Sequence, residues 1–479
     1  MIGAGGCRLV TDVIDQGNDD VRGYVVLFHG LAANKEIMSY LARGFANENL
    51  RVFVPDLPGH GRTQGPFSFE RGETCAESLL RELIARRAID AQRTMVAGHS
   101  MGGAIAIRVA ARVPVAGVVA ISPAPMRAAH GVPADMLPYK NPPTLPPYTL
   151  AISAAFEPLG IRELTSDLVT RETTTSNYLF MPRATHVSVL FDPRVVRASQ
   201  QWSADTLHFP AEPNIPSHAP LAGSLMGLAG ILLLAGPFVR ETVTLQSPGT
   251  KPAQTCAAGQ NVTSEAAAVP LVRVLLEIAA GSVIAVAFLR FWNPLSFVRL
   301  YNGSYFTSFL LIVGVILLLI HNKSIRTAFS AKIAVVLLAS LAGFSLHFLI
   351  TGWLDATFSE SWLSWARWAR FPILFVAALA ALLAEELLLG PVAARRGIAR
   401  VSLAMAIRFI AFLVLVFGIF VLHSGAILIL LLALYLALFS LFQRMGMDVV
   451  RRETGSAIAA AVFGAILLAG FCLVIFPVT

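Results

Sequence analysis

The chain has 479 residues, of which 56% are hydrophobic and only 14% are charged, and its formal net charge is +8. Such a length exceeds one typical domain, and a soluble globular protein would carry about 25% charged residues. The composition therefore excludes a single soluble domain. No basic patch is interleaved with aromatic residues, so the positive charge does not indicate a nucleic-acid partner. In a membrane protein it is typical of cytoplasmic-loop arginines.

Residues 1–217 have an ordinary composition, in which short buried strands alternate with amphipathic helices. The predicted strands are 24–28, 50–57, 94–97, 115–121, 150–154 and 178–181, and the predicted helices are 34–49, 73–87, 101–113 and 192–207. This alternation predicts a parallel sheet that is covered by helices on both faces. Functional side chains in such sheets lie at the carboxyl ends of the strands, where His29, Asp56, Ser100 and Ser122 fall.

The stretch VAGHSMGGA, residues 96–104, places one serine between a predicted strand and a predicted helix. Gly98 and Gly102 lie two residues on either side of Ser100, as a sharp turn with close strand–helix packing requires. The turn would hold the hydroxyl at the N-terminus of a helix, which favours developing negative charge. The pattern therefore predicts that Ser100 is a nucleophile.

Segment 28–63 adds two further motifs, an HG-x turn at 29–31 and a strand that ends in D-x-P-G-H-G at 56–61. Together with G-H-S-M-G-G at 98–103, they resemble the α/β-hydrolase superfamily, and within it the monoglyceride-lipase and serine-aminopeptidase branch. The resemblance covers about residues 20–210 and does not extend to the rest of the chain. It implies an α/β-hydrolase fold and a serine hydrolase that needs no metal or organic cofactor.

The resemblance also implies the partners of the serine. The backbone N–H groups of Leu31 and Met101 would form the oxyanion hole. His186, between the last predicted strand and the closing helix, would be the base. Glu157 stands where the family usually has an aspartate and would be the acid, with Asp167, within a predicted helix, as the runner-up.

The sequence departs from the family at two places. The stretch between Ser122 and Tyr148 is rich in proline and too short for a full helical cap, which predicts an open site. Before Tyr24, residues 7–14 could supply one strand of the family's antiparallel hairpin, and we expect the other strand to be missing from the given sequence. We therefore expect the natural start to lie upstream.

The four cysteines are Cys7, Cys75, Cys256 and Cys472. They are far apart in the chain, and none has the spacing of a metal ligand. They predict neither a disulfide framework nor a zinc site.

Residues 218–479 form a series of long apolar runs, and eight of them approach the ~18 apolar residues that a membrane span needs. The predicted spans are 221–239, 270–291, 305–320, 333–350, 371–389, 401–422, 426–442 and 457–476. Any single run could be a buried soluble helix, but eight in succession predict a multi-pass membrane domain over 218–479, preceded by a hydrolase domain over 1–217.

Basic residues are concentrated in the loops after odd-numbered spans, which the positive-inside rule places in the cytoplasm. These loops carry Arg240, Lys251, Lys323, Arg326, Lys332, Arg395, Arg396, Arg400, Arg444, Arg451 and Arg452, against Arg290, Arg299, Arg367 and Arg370 in the even loops. The rule puts the N-terminal half outside, yet no signal peptide precedes it. An upstream leader, an extra upstream span or a miscounted span would reconcile the charge bias with the lack of a signal peptide. The sequence therefore leaves open which side of the membrane the N-terminal half faces.

Glu385 and Glu386 end the fifth predicted span. EELLLG resembles the EExxxR motif of CPBP-type intramembrane proteases in part, but Gly390 stands where the arginine belongs. We therefore expect interfacial carboxylates that face water rather than a second catalytic centre.

Together these features predict a membrane-anchored serine hydrolase that cleaves carboxylic esters or lipid acyl groups through an acyl-enzyme on Ser100. The expected partners are the lipid bilayer and a small acyl or ester substrate, with no nucleic acid, and a bacterial inner or plasma membrane is the expected location. Two alternatives remain. One is a transporter or sensor whose hydrolase-like domain binds a ligand, and the other is a peptidase of the same branch.

Overall fold

The computed structural model describes residues 1–2, 6–17, 20–124, 144–158, 160–170, 175–245, 270–328, 331–390 and 397–479. They form two compact units. The first comprises Met1–Gly223, Leu354–Ser361 and Pro477–Thr479, and the second comprises Ser224–Trp353 and Trp362–Phe476. The first unit thus includes two short segments from the C-terminal half of the sequence. The proline-rich stretch predicted to replace a cap lies mostly outside the described residues, which resume at 144.

The first unit is built on a seven-stranded sheet in the order β1-β3-β2-β4-β5-β6-β7. Its strands are β1 (Thr11–Ile14), β2 (Gly23–Phe28), β3 (Leu50–Pro55), β4 (Thr94–His99), β5 (Gly117–Ile121), β6 (Thr149–Phe156) and β7 (Asn177–Thr185). Only the pairing of β1 with β3 is antiparallel. The predicted α/β fold is therefore confirmed, and its mostly parallel strands end at one edge of the sheet.

Five helices flank this sheet: α1 (Ser39–Asn47), α2 (Phe69–Ala85), α3 (Met101–Ala110), α4 (Ile161–Thr170) and α5 (Pro193–Leu207). Alternate strand residues such as Val25 and Leu27 share a buried core with Phe45 of α1 and Val196 of α5. Helix α2 packs against α3 instead. The helix predicted at 34–49 is divided, because a 3₁₀ turn over Lys35–Met38 precedes α1.

The N-terminal segment differs from prediction in one covalent detail. Cys7 and Cys75 form a disulfide, with their Cα atoms 5.0 Å apart and 68 residues between them in sequence, so the expectation of no disulfide is wrong. Helix α2 brings them together, since Arg71 on the same helix donates a hydrogen bond to the carbonyl of Gly6. Ile2 and Leu9 also form one antiparallel bridge where the family's hairpin is expected.

Among the described residues, eight helices are long and apolar enough to cross a membrane, and each overlaps one predicted span. They are α6 (Ala219–Thr244), α7 (Leu271–Leu289), α8 (Gly303–Ile320), α10 (Ile333–Thr357), α12 (Phe371–Leu389), α13 (Ile398–Val421), α15 (Ala433–Thr454) and α16 (Ala457–Ile475), with the shorter α9 (Asn322–Ala328), α11 (Trp365–Trp368) and α14 (Ile427–Leu431) between them. The chain is therefore a membrane protein with an all-helical C-terminal half.

The seventh span lies further along the chain than predicted. The apolar run at 426–442 contains both the short α14 and the start of α15, and α15 continues to Thr454. Hydropathy missed this extension because its inward face carries polar side chains, among them the fully buried Arg444 and the nearly buried Asp448.

Glu385 and Glu386 do not face water, so the interfacial interpretation is wrong. Both are buried, and Arg444 Nη1 lies 2.8 Å from Glu385 Oε1 and 2.6 Å from Glu386 Oε1. Arg400 pairs with Glu386 at 2.7 Å, and Arg408 pairs with Glu385 at 2.6 Å. The arginines come from α13 and α15, so that no local spacing marks them as partners. Burying a carboxylate is costly unless it is paired or hydrogen-bonded, and here the arginines supply both.

Candidate active site

The serine turn has the geometry that its sequence predicts. β4 ends at His99 and α3 begins at Met101, and Ser100 between them has a φ of 53°, which is rare for a residue with a side chain. A Cβ on Gly98 would lie 2.3 Å from the carbonyl carbon of Gly102, and one on Gly102 would lie 2.2 Å from the oxygen of Phe28. Only glycine fits at both positions, so the motif is explained by backbone packing.

The structure brings Ser100, His186 and Glu157 together in one hydrogen-bonded chain. His186 Nε2 lies 3.0 Å from Ser100 Oγ, and His186 Nδ1 lies 2.5 Å from Glu157 Oε2. Each residue directly follows a strand, β4 for Ser100, β6 for Glu157 and β7 for His186. The shared sheet edge is therefore what gathers side chains that are 29 and 86 residues from the histidine.

Glu157 is almost fully buried, since its side chain is 1% exposed. Its Oε1 accepts hydrogen bonds from the backbone N–H of Ala154, at 2.9 Å, and from the hydroxyl of Ser122. The other carboxylate oxygen, Oε2, binds Nδ1 of His186. The carboxylate is thus held by neutral donors that fix its orientation toward the imidazole, which selects the tautomer with a proton on Nδ1 and a lone pair on Nε2.

Two side chains near the triad were assigned no role from the sequence. Ser122 directly follows β5 and its hydroxyl donates a hydrogen bond to Glu157, and His99 Nε2 donates to the backbone carbonyl of His186 at 2.7 Å. Burial lowers the pKa of His99 to about 3, so this ring is neutral and acts only as a support. The position of Ser122 at a strand end was the one available signal. The runner-up acid, Asp167, lies in α4, and it is Glu157 that contacts His186.

The two predicted oxyanion donors belong to turns that adjoin Ser100. Met101 is the first residue of α3, and the first N–H groups of a helix have no intrahelical acceptor. Leu31 follows Gly30, whose Cβ, if present, would lie 3.2 Å from Cβ of Ser100. Both backbone donors therefore belong to segments that flank the serine hydroxyl, as the family pattern implies.

Two buried histidines tie the HG turn to the D-x-P-G-H-G turn. His29 Nε2 accepts from the N–H of Leu57 at 2.9 Å, and His60 Nε2 accepts from the N–H of Ala32 at 3.3 Å. Burial lowers the pKa of His29 to about 4, so that it stays neutral and keeps the lone pair that Leu57 needs. Both histidines thus form hydrogen bonds within and between these two turns.

Metal ligation is not evident in the part of the chain that the structure describes, where no group of three or more His, Cys, Asp or Glu side chains is arranged to hold an ion.

Residues 25–235 match the profile of the "Alpha/beta hydrolase family". This region, less than half of the chain, is therefore similar to the alpha/beta hydrolase family. Its curated relatives include a monoacylglycerol lipase of Mycolicibacterium smegmatis, which is 37% identical over 114 residues, or 23% of this chain and 40% of the relative. Lipase 3 of a Moraxella species is 34% identical over 98 residues, or 20% of this chain and 30% of the relative.

A pimeloyl-[acyl-carrier protein] methyl ester esterase of Nitrosospira multiformis is also similar, at 30% identity over 112 residues, or 23% of this chain and 39% of the esterase. The matched stretches of 98–114 residues thus span only 30–40% of the length of these relatives. Among solved structures, a monoacylglycerol lipase of Paleococcus ferrophilus aligns with 42% of this chain and 99% of its own, with 20% identity and a TM-score of 0.34.

Proposed function

We propose that this protein is a membrane-anchored serine hydrolase that cleaves carboxylic esters or lipid acyl groups through an acyl-enzyme on Ser100. The observation that carries the proposal is the chain from Ser100 Oγ to His186 Nε2 and from His186 Nδ1 to Glu157, at 3.0 and 2.5 Å. A hydroxyl within reach of an oriented, neutral imidazole is the arrangement that makes serine a nucleophile near neutral pH.

In the first half-reaction, Ser100 Oγ bonds to the acyl carbon while its proton passes to His186 Nε2. The negative oxygen of the tetrahedral intermediate accepts hydrogen bonds from the N–H groups of Leu31 and Met101. The intermediate collapses, the bond to the leaving alcohol breaks, and His186 returns the proton to that alcohol. Glu157 stabilises the imidazolium in the meantime through Nδ1–H.

In the second half-reaction, water takes the place of the alcohol. His186 removes one proton from the water as its oxygen attacks the acyl carbon, and the same two N–H groups hold the second oxyanion. Collapse releases the carboxylic acid and restores the Ser100 hydroxyl with the proton from His186. No redox step or further reactant is needed, and one water is consumed for each ester bond.

Two features support an ester or lipid acyl substrate. The curated relatives include lipases and an esterase, which act on this bond class according to their names. Eight helices apolar enough to span a membrane follow the hydrolase region, so that tethering would keep the site near lipid. A bacterial inner or plasma membrane is the compartment that we propose, and the bilayer and an acyl or ester molecule are the proposed partners.

The full-length protein in detergent, treated with a fluorescent fluorophosphonate, tests this function. We expect wild type to be labelled and Ser100→Ala to remain unlabelled. A panel of p-nitrophenyl esters of increasing acyl length should then be hydrolysed by wild type, while His186→Ala lowers kcat/KM by about 10⁴-fold or more. Glu70→Gln, at an exposed position of α2, is the matched control.

The alternatives predict different results. A sensor or transporter domain that only binds a ligand would remain unlabelled, and Ser100→Ala would be indistinguishable from wild type. A peptidase would be labelled yet would cleave aminoacyl amides faster than esters of the same acyl group. Either outcome would reject the ester hydrolase.

A further inference from the structure

The segment Leu354–Ser361, which comprises the last four residues of α10 and the four that follow, belongs to the first compact unit together with the hydrolase residues. It forms hydrogen bonds with Asn34, in the turn that also contains Leu31. The Asn34 side-chain amide donates to Ser359 Oγ at 3.0 Å and to the Glu360 carbonyl at 3.4 Å. We call the segment the inter-span strap.

Glu360 is the buried centre of this contact, with a side chain that is 2% exposed. One oxygen lies 2.9 Å from Lys35 Nζ, and the other accepts a hydrogen bond from the backbone N–H of Arg62 at 3.1 Å. A further hydrogen bond joins it to the Asp56 carboxyl. Asp56 in turn accepts from the backbone N–H groups of Lys35, at 2.9 Å, and Arg62, at 3.0 Å.

These contacts fix the chain immediately after the proposed oxyanion donor. From residue 31 onward, Ala32 is held by His60, Asn34 by Ser359, and Lys35 by both Asp56 and Glu360. An oxyanion donor is effective only when its N–H points at the developing charge, because a displacement of about 1 Å can cost about a hundred-fold in rate. Lys35 Nζ also lies 2.6 Å from Asp12 and 3.1 Å from Glu36, but both of these carboxylates are partly exposed, whereas Glu360 is buried.

We propose that Glu360 is a positioning residue for catalysis, and that through it the inter-span strap holds the oxyanion turn in its active geometry. The inference rests on the proposed hydrolase function. It means that a loop between two membrane helices completes the support of the soluble site, so that the hydrolase region alone would lack part of its machinery.

Because Glu360 is titratable, its proposed role predicts that kcat depends on pH. Burial and the neighbouring Asp56 raise its pKa to about 7. The charged or titratable groups that face the pair are Lys35 and Arg62, with Asp12 and Glu36 bound to Lys35, Asp355 bound to Arg62, and His29 close by. A carboxyl whose pKa is raised on folding favours the folded arrangement at low pH and loses that contribution as the pH rises through about 7.

The test compares Glu360→Ala and Glu360→Gln in the full-length protein, with Glu70→Gln as the exposed control. The readout is kcat on p-nitrophenyl butyrate from pH 5.5 to 9, per active site titrated with fluorophosphonate, so that misfolded protein does not count. We expect Glu360→Ala to lower kcat about ten- to a hundred-fold with a smaller change in KM.

Glu360→Gln should keep most of the activity, because its amide can replace the protonated acid as the donor to Asp56, and its profile should lack the decline that wild type shows above pH 7. Equal kcat and equal profiles for all four proteins would overturn the positioning role while the hydrolase function stands. A wild type that is neither labelled nor active would instead reject the proposed function, and this inference with it.

A second, independent set of observations concerns the side of the membrane. The disulfide between Cys7 and Cys75 lies in the first unit, and disulfides are rare in the reducing cytosol. That unit also takes in Leu354–Ser361, at the end of the fourth candidate span among the described residues, and Pro477–Thr479, after the eighth. An even number of crossings returns the chain to the side where it started, so that the structure and the span count agree.

We infer that the hydrolase unit faces the non-cytoplasmic side of the membrane. The excess of arginine and lysine in the odd loops points to the same side, since those loops would then face the cytoplasm. The disulfide and the charge bias thus favour the same orientation, and the even span counts are consistent with it.

Cysteine labelling of intact spheroplasts tests this orientation. In the sequence, Cys256 lies between the first two predicted spans, and in the structure Cys472 is buried. An impermeant maleimide should label Cys256 only after permeabilisation, whereas Ser296→Cys in a Cys256→Ser background should be labelled in intact spheroplasts. The reverse pattern, or a Cys7–Cys75 pair that stays reduced in cells, would overturn the inference.

Discussion

Each unit contains buried glutamates, and the two units bind them differently. In the hydrolase unit, Glu157 is held by the hydroxyl of Ser122, the N–H of Ala154 and the imidazole of His186. In the helical unit, Glu385 and Glu386 share Arg444. Guanidinium groups stay charged at all working pH values, so they neutralise a carboxylate permanently.

This comparison indicates that the role of a buried carboxylate depends on which group binds it. A carboxylate bound to an imidazole can favour a charge that appears only during a reaction, because the imidazole is neutral before and after it. A carboxylate bound to arginines is already compensated, and it links helices instead. The ionisability of the partner, rather than burial of the acid, separates the proposed catalytic site from the ion-pair cluster between the helices.

The largest expected effect is at Glu157. Glu157→Gln should lower kcat by about 10⁴-fold, because the amide no longer selects the reactive tautomer of His186. Asp167→Asn is the matched control and should keep near wild-type kcat, measured on the same ester. If Asp167→Asn were the inactive variant and Glu157→Gln the active one, the acid would have been assigned to the wrong residue.

The helical unit should respond to Glu386→Gln in stability instead of chemistry. Removing one partner of a buried ion pair costs about 3–5 kcal/mol in free energy of unfolding, since Arg444 and Arg400 are left with less compensation. Thermal unfolding in detergent measures the loss. Fluorophosphonate labelling per folded molecule should stay at the wild-type rate, and a large fall in that rate would contradict the separation of the two roles.

The disulfide gives a smaller change in stability within the hydrolase unit. Cys7→Ser should lower its free energy of unfolding by about 2–4 kcal/mol, because the unfolded chain regains the freedom of a long loop. Wild type should show the same loss of unfolding free energy in the presence of dithiothreitol. The control Cys256→Ser removes a cysteine outside the disulfide and should show no such loss. Equal melting with and without reductant would indicate that the bond does not form.

The smallest expected effect tests the neutral donors around Glu157. Ser122→Ala removes one hydrogen bond to the carboxylate, a contact worth about 1.5 kcal/mol or more, which corresponds to about ten-fold in kcat. Ser122→Thr keeps a hydroxyl and should restore part of the rate. The dependence of kcat on pH distinguishes a changed orientation of the Glu157 carboxylate from a changed fold. An unchanged kcat for Ser122→Ala would mean that Ala154 and His186 alone orient the acid.

Much of the fold and part of the site could be predicted from the sequence. Strands, helices and the eight spans follow from periodicity and apolar run length, which depend on neighbouring residues. The turn around Ser100 followed from Gly98 and Gly102, because close packing leaves only glycine there. The placement of Glu157 and His186 followed from the family pattern, and the structure brings both to the serine.

The sequence by itself thus determined the sheet, the serine turn and the membrane helices, because local patterns encode local structure. Only the tertiary structure decided that Cys7 meets Cys75, that Arg444 meets two glutamates, and that Glu360 meets a lysine 325 residues earlier in the chain. The physical reason is that each pair is made of isolated polar residues. Their attraction acts only after the folded chain has brought them within a few ångströms, and nothing in the spacing along the sequence records it.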